Sequence, residues 1–151
     1  MWKIIWPVLS VLAAVGIFFS SSLPGDISGG ASMAIAEMVR YFAPEATDET
    51  ISLFNFIVRK GAHFTVYFVL AFCVAHSLKF HLSRRSVLFL TVWGIASVYG
   101  IVDEAHQYFV PGRVMAVMDM VINSVGAAAG AGFVCWWISR ASRASMASEK
   151  S

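Results

Sequence analysis

Residues 103–132 read DEAHQYFVPGRVMAVMDMVINSVGAAAGAG. This segment holds Asp103, Glu104 and Asp119, three of the nine acidic residues in the chain, together with Gln107, Arg113 and Asn123. Long apolar runs flank it on both sides. Over the whole chain 58% of residues are hydrophobic and 13% are charged, where a soluble domain carries about 25% charged residues. The apolar content lies in separate long runs rather than in one core's worth, which predicts a small polytopic membrane protein. Polar side chains in such surroundings are costly unless they have partners or a task.

Working outward from this segment, four spans emerge. Residues 87–109 form the third and residues 114–138 the fourth, joined at Pro111-Gly112. Upstream, a helix from Glu49 to Leu78 is too long for the hydrocarbon alone, so its crossing part is placed at Gly61–Leu78. Lys79, His81, Arg84 and Arg85 make a basic turn after it. The first span is Ile4–Phe19. A cleaved signal peptide is the alternative there, but no A-x-A site precedes the Pro24-Gly25 turn.

Between the first and second spans, Asp26–Gly30 reads as turn, with Gly29-Gly30 as a breaker. Ala31, Ala34, Ile35, Met38, Val39 and Phe42 then recur at helical spacing, as in an amphipathic helix lying on the membrane surface or covering the bundle. Pro44 ends it, and Asp48 is a candidate cap for the next helix.

The predicted fold class is therefore all-α, an integral membrane four-helix bundle with a short external amphipathic helix between spans 1 and 2. The spans are expected to form a pair of helical hairpins. Residues 1–140 make one membrane domain, and the Ser/Ala-rich residues 141–151 are expected to be a disordered cytoplasmic tail. Lys3, the Lys79–Arg85 turn and the Arg140–Lys150 tail fall on one side of a four-span chain. The positive-inside rule makes that side cytoplasmic, with both termini there.

The net charge of +2 carries no nucleic-acid signal, because the basic residues sit at the ends of apolar runs without interleaved aromatics. Cys73 and Cys135 lie inside apolar runs, form no metal or CxxC spacing, and read as inert thiols.

Depth along each helix brings the polar residues together. His63 lies sixteen residues before Lys79, about 24 Å at ~1.5 Å per residue. Asp103 lies seventeen residues beyond Ser86, and Asn123 seventeen before Arg140, each about 26 Å. In a hydrocarbon about 30 Å thick, the three share one level just beneath the external surface. Glu104, Gln107 and Asp119 fall at that level or above it, and Tyr67 and Tyr99 one turn deeper. Lys60, His63 and Tyr67 form one stripe, Gln107 lies one turn from both Asp103 and Glu104, and Asp119 and Asn123 are four apart. Gly126 and Gly130 continue the last stripe as a small-residue packing face, widened by Ala127 and Ala131.

Two chemical readings follow. Structurally, such residues tie helices together, Arg113 with one carboxylate and His63 with another. Functionally, they line a shallow outward pocket. Asp103 and Glu104 with His63 suit acid–base catalysis, since adjacent carboxylates in low dielectric resist double ionisation. Lys60, Tyr67, Gln107, Arg113, Asp119 and Asn123 are candidate ligand-binding residues, with Arg113 suited to an anion such as phosphate. No nucleophile elbow or nucleotide fingerprint appears, and Ser97 and Ser124 read as packing residues. Asp103 and His106, with His63, were weighed as metal ligands, but no HExxH pattern supports them. Neither a metal nor a cofactor is expected. His76 and His81 read as interfacial.

At these residues the chain resembles the VanZ-like family of small bacterial membrane proteins. The matching positions are Asp103, Glu104, Gln107, Gly112, Arg113, Asp119, Asn123, Gly126 and Gly130. RKGAHFTVYFVL adds Lys60, His63, Phe64 and Tyr67, and FFSSSLPGD adds Ser21 and Pro24. The likeness covers roughly Ile4–Ile138. The family pattern is usually apolar at Ala105 and His106, so His106 is not carried over. The resemblance implies a four-helix protein of the cell envelope, whose namesake is linked to resistance to the glycopeptide teicoplanin. The expected function is binding of a lipid-linked or phosphate-bearing envelope component, with an effect on glycopeptide susceptibility. The alternatives are an intramembrane hydrolase or transferase using Asp103 or Glu104 with His63, and a small carrier or complex subunit. Expected partners are the bilayer, a lipid-linked precursor or glycopeptide, and a second copy of the chain.

Overall fold

The computed structural model describes residues 2–148. Five helices follow in order: α1 (Trp2–Ser21), α2 (Gly25–Phe42), α3 (Asp48–Leu78), α4 (Arg85–Gln107) and α5 (Val117–Ser148). Among the described residues, four are long and apolar enough to cross a membrane, over Ile4–Ser21, Asp48–Leu78, Arg85–Gln107 and Val117–Ala144. Their lipid-side faces carry Leu12, Val69, Leu90, Val98 and Trp137 exposed. In water this would be an aggregation surface, and in a bilayer it is the solvent-facing side.

The sequential spans α1 with α3 and α4 with α5 do pack together, but the tightest seam lies between the two hairpins. The largest interface joins α3 and α5, followed by α4 with α5 and α1 with α3. The α3–α5 pair is parallel, since Lys60 meets Asp119, Gly126 meets the Phe64 carbonyl, and Gly130 meets the Phe68 carbonyl. Small residues explain the pairing. A Cβ at Gly126 or Gly130 would collide with the backbone of α3, so only glycine allows this approach. Ala71, Ala75, Ala127, Ala131 and Val134 are buried in the common core with Leu70, Leu88 and Val92.

The α1–α4 pair also runs parallel. Tyr99 donates to the Ala14 carbonyl at 2.7 Å, and, seven residues further along α1 and four along α4, Ser21 donates to Asp103. At the opposite end of the bundle Trp6 stacks on His76 at 4.3 Å, and Arg85 reaches Ser142.

Several local expectations are corrected. Helix α2 begins at Gly25, so Gly29 and Gly30 lie inside it. Pro24 directly precedes it, the Asp26 carboxylate accepts from the Ile27 N–H, and docking on α3 outweighs a helix cost of about 1 kcal/mol per glycine. Its buried residues are Ser32 and Ala36, whereas Ile35, Met38 and Phe42 are exposed. The apolar stripe thus faces away from the bundle instead of covering it.

The cap of α3 is Thr47, whose side chain accepts from the Thr50 N–H. Asp48 instead pairs with Arg40, which also holds Glu37 at 2.8 Å. The hydrogen bond to Asp48 and then the Glu37 charge raise the Arg40 pKa above its usual value.

The α4–α5 connection spans residues 108–116, longer than the Pro111-Gly112 turn alone, and Gly112 takes φ +72° there. Helix α5 runs on to Ser148, so residues 141–148 are helical rather than disordered. ASRASMAS contains neither the glycine nor the proline that would stop it. Residues 149–151 of the expected tail lie outside the described residues.

Candidate functional site

Polar side chains from α1, α3, α4 and α5 meet at the end of the bundle where the α4–α5 connection folds back. Glu104 and Asn123 are fully buried, and Asp103, Gln107, Asp119 and Ser21 nearly so. Of the three residues expected at one depth, His63 and Asn123 meet directly, and Asp103 is linked to Glu104 through Gln107. His63 Nδ1 lies 3.1 Å from Asn123 Oδ1 and 3.8 Å from Glu104 Oε1.

Gln107 joins two halves of this layer. One helical turn beyond Asp103 and Glu104, its Nε2 donates to Asp103 Oδ2 at 3.1 Å and to Glu104 Oε1 at 3.4 Å. Its Oε1 accepts from Arg113 at 3.2 Å. In the inner half, Glu104 Oε2 accepts the Ala116 N–H at 3.2 Å, Lys60 pairs with Asp119, and His63 meets Asn123. In the other half, Ser21 Oγ donates to Asp103 Oδ2 at 2.9 Å.

Arg113 does not pair with a carboxylate, as the tie-bar reading expected. It donates to three neutral acceptors: Ser20 O at 2.9 Å, Leu23 O at 3.2 Å and Gln107 Oε1. It therefore closes the C-terminal end of α1 with its charge left uncompensated by an ion pair. Burial lowers its pKa from the usual value, and the nearby Arg59 charge acts the same way, while Asp103, Glu104 and Asp119 oppose both. The connection that carries Arg113 is fixed by Gly25, whose N–H donates to Pro111 O at 3.0 Å and whose Cα sits against Gly112 where no Cβ would fit.

Beside this layer lies a cavity of about 420 Å³, within the size range of small-molecule sites. One side is apolar, from Ala13, Gly16 and Ile17 of α1 and Val66 and Val69 of α3. The other presents Ser21, His63, Tyr67, Asp103, Gln107 and Arg113. Gly16, Ala62, Thr65, Val66 and Val69 are exposed, so the cavity opens between α1 and α3 on the face that meets lipid. Tyr67 is fully buried with its hydroxyl near the Asp103 carboxylate, yet neither that hydroxyl nor Asp103 Oδ1 makes a hydrogen bond of ordinary length among the described residues. Buried polar atoms are seldom left in that state unless something else meets them.

Of the residues expected from sequence, Lys60, His63, Tyr67, Asp103, Glu104, Gln107, Arg113, Asp119 and Asn123 all reach this layer. His106 does not, because it stacks on Phe18 at 4.8 Å. His76 is held by Trp6 and the Phe72 carbonyl. Ser97 and Ser124 bond each other at 2.9 Å, as packing residues do. Sequence reasoning gave Ser21 no role, although the FFSSSLPGD motif contained it. No helical periodicity links the end of α1 to Asp103, so only the fold reveals that contact.

A helical, multi-pass membrane protein with a buried polar layer at one end is thus defined. The chain belongs to the VanZ family: the family described as VanZ/LLP1 matches residues 6–139, from the first span through most of the last. That membership makes it a membrane protein of the cell envelope. No curated protein and no solved structure matches the chain.

Proposed function

We propose that the cavity binds an anionic amphiphile of the cell envelope, a lipid-linked or phosphate-bearing precursor, with its tail between α1 and α3 and its head on Arg113. The observation that carries this reading is the cavity's two-sided wall. An apolar flank open to lipid suits a chain, and an arginine without a carboxylate partner suits a phosphate. The Tyr67 hydroxyl, near Asp103, adds a donor for the head group. The end bearing the site is external in this reading. The basic turn and the Arg140 end of α5 meet at the other end, and basic residues favour the cytoplasmic side. Sequestering such a precursor would alter susceptibility to glycopeptides that target it, the link carried by the family name.

The test is native mass spectrometry of the detergent-purified chain with an isoprenoid phosphate and with the matching alcohol. Retention of the phosphate and not the alcohol is expected, and Arg113→Lys should reduce it about tenfold, roughly 1.4 kcal/mol, by losing the two-pronged contact. Equal retention of phosphate and alcohol would contradict the proposal.

One contact favours a second reading, hydrolysis or transfer. Ser21 Oγ donates to Asp103 on the cavity wall, the nucleophile–base arrangement of covalent catalysis. In that case Ser21 Oγ would pass its proton to Asp103 and take the phosphoryl group, and the lipid alcohol would leave with that proton. Water would then hydrolyse the phosphoserine to free phosphate, and Ser21→Ala would keep binding while ending the cleavage.

A further inference from the structure

We propose that His63, Glu104 and Asp119 hold a divalent cation beside the lipid cavity. One ligand atom from each lies within 4.8 Å of the others, which fits a single ion about 2.0–2.5 Å from each. Three different helices supply them, as in metal sites built in the cores of bundles.

A second observation points the same way. Three carboxylates are buried in this layer, Asp103, Glu104 and Asp119, and they face two permanent cations. Lys60 is spent on Asp119, and Arg113 on neutral acceptors. Glu104, fully buried, has hydrogen bonds from the Ala116 N–H and Gln107, and its nearest cation, Lys60, is already paired with Asp119. A buried carboxylate left without compensation is costly. With all three carboxylates ionised, and Lys60 and Arg113 as the layer's cations, a divalent ion would turn its net charge from −1 to +1.

The ligand shell is also oriented. Asn123, fully buried, places Oδ1 at 3.1 Å from His63 Nδ1 while its own Nδ2 has no partner. With Nδ1 donating to Asn123 Oδ1, the other ring nitrogen, Nε2, would be the one left to ligate. One imidazole with two carboxylates suits Mn²⁺ or Zn²⁺ better than Ca²⁺. Lys60 competes with the ion for Asp119. In its use the site rests on the phosphate-binding reading, because a positive layer attracts the head group and a negative one repels it. In its existence it does not.

The test strips the purified chain with a chelator and titrates Mn²⁺, Zn²⁺ and, for comparison, Mg²⁺ alone, following bound metal and the thermal midpoint. One Mn²⁺ or Zn²⁺ per chain is expected, with a rise on the order of 5 °C at a hundredfold excess over Kd. Glu104→Gln and Asp119→Asn should lose the ion. Lys60→Met should bind it more tightly, the opposite of what breaking a purely structural ion pair would give. If the two carboxylate variants fail to fold, the wild-type titration and Lys60→Met still decide. No bound ion in the wild type, or weaker binding in Lys60→Met, overturns the site. A chain that binds no ion yet retains the phosphate lipid removes the cation alone. One that binds the ion but no phosphate lipid upholds it and removes the proposed ligand.

Discussion

Gln107 is the residue on which the polar layer depends most. Its amide donates to two buried carboxylates and accepts from Arg113, so both of its polar ends are engaged. Gln107→Leu keeps the approximate volume and removes every one of these bonds. Because Asp103 and Glu104 stay buried, the loss should be about 3 kcal/mol or more, above the ~1 kcal/mol of an ordinary neutral hydrogen bond. Chemical denaturation in mixed micelles reads it directly, and a loss below 1 kcal/mol would show that the two carboxylates do not rely on Gln107. This residue was legible from spacing alone, since positions three and four apart share a helix face. The partners of Arg113 were not. Besides Gln107 they are the backbone carbonyls of Ser20 and Leu23, at and just past the end of α1, and a sequence does not say which carbonyls a distant turn will cover.

At the scale of elements, the close contact of α5 with α3 places the site. Gly126 lies directly below Asn123 on the α5 stripe and touches the backbone of α3 at Phe64, next to His63. Gly126→Leu must push these helices apart, and overpacking of this kind costs about 1–3 kcal/mol. A lower thermal midpoint in detergent is expected, together with weaker lipid retention as His63 moves off Asn123. An unchanged midpoint would contradict the tight α3–α5 seam.

The small-residue face was readable because Gly126 and Gly130 are four apart. Which helix it meets was not, as any neighbour could fill it, and the choice of α3 over the sequential partner α4 is a tertiary outcome. The same limit explains α2. Its start at Gly25 reflects docking on α3, which overrides the local preference of Gly29-Gly30 for a turn.

For the whole molecule, the span count, the convergence of the polar residues and the family were all legible. Hydrophobic length and helical rise are one-dimensional quantities that a sequence records. The cavity is a gap between α1 and α3, two helices far apart in the chain, and no linear pattern encodes it. Yet the central claim lives there: an opening toward lipid at the external end, with Arg113 at its polar side. A short-chain isoprenoid phosphate bearing a photoreactive group, soluble in water and unable to cross the membrane, can be applied to intact cells and its attachment mapped by peptide mass spectrometry. Labels should fall on Ala13–Ser21 of α1 and Ala62–Val69 of α3, and excess unlabelled isoprenoid phosphate should suppress them. Labels spread instead over the lipid face of α4, at Leu90, Val98 and Ile101, or appearing only after the cells are permeabilised, would contradict it.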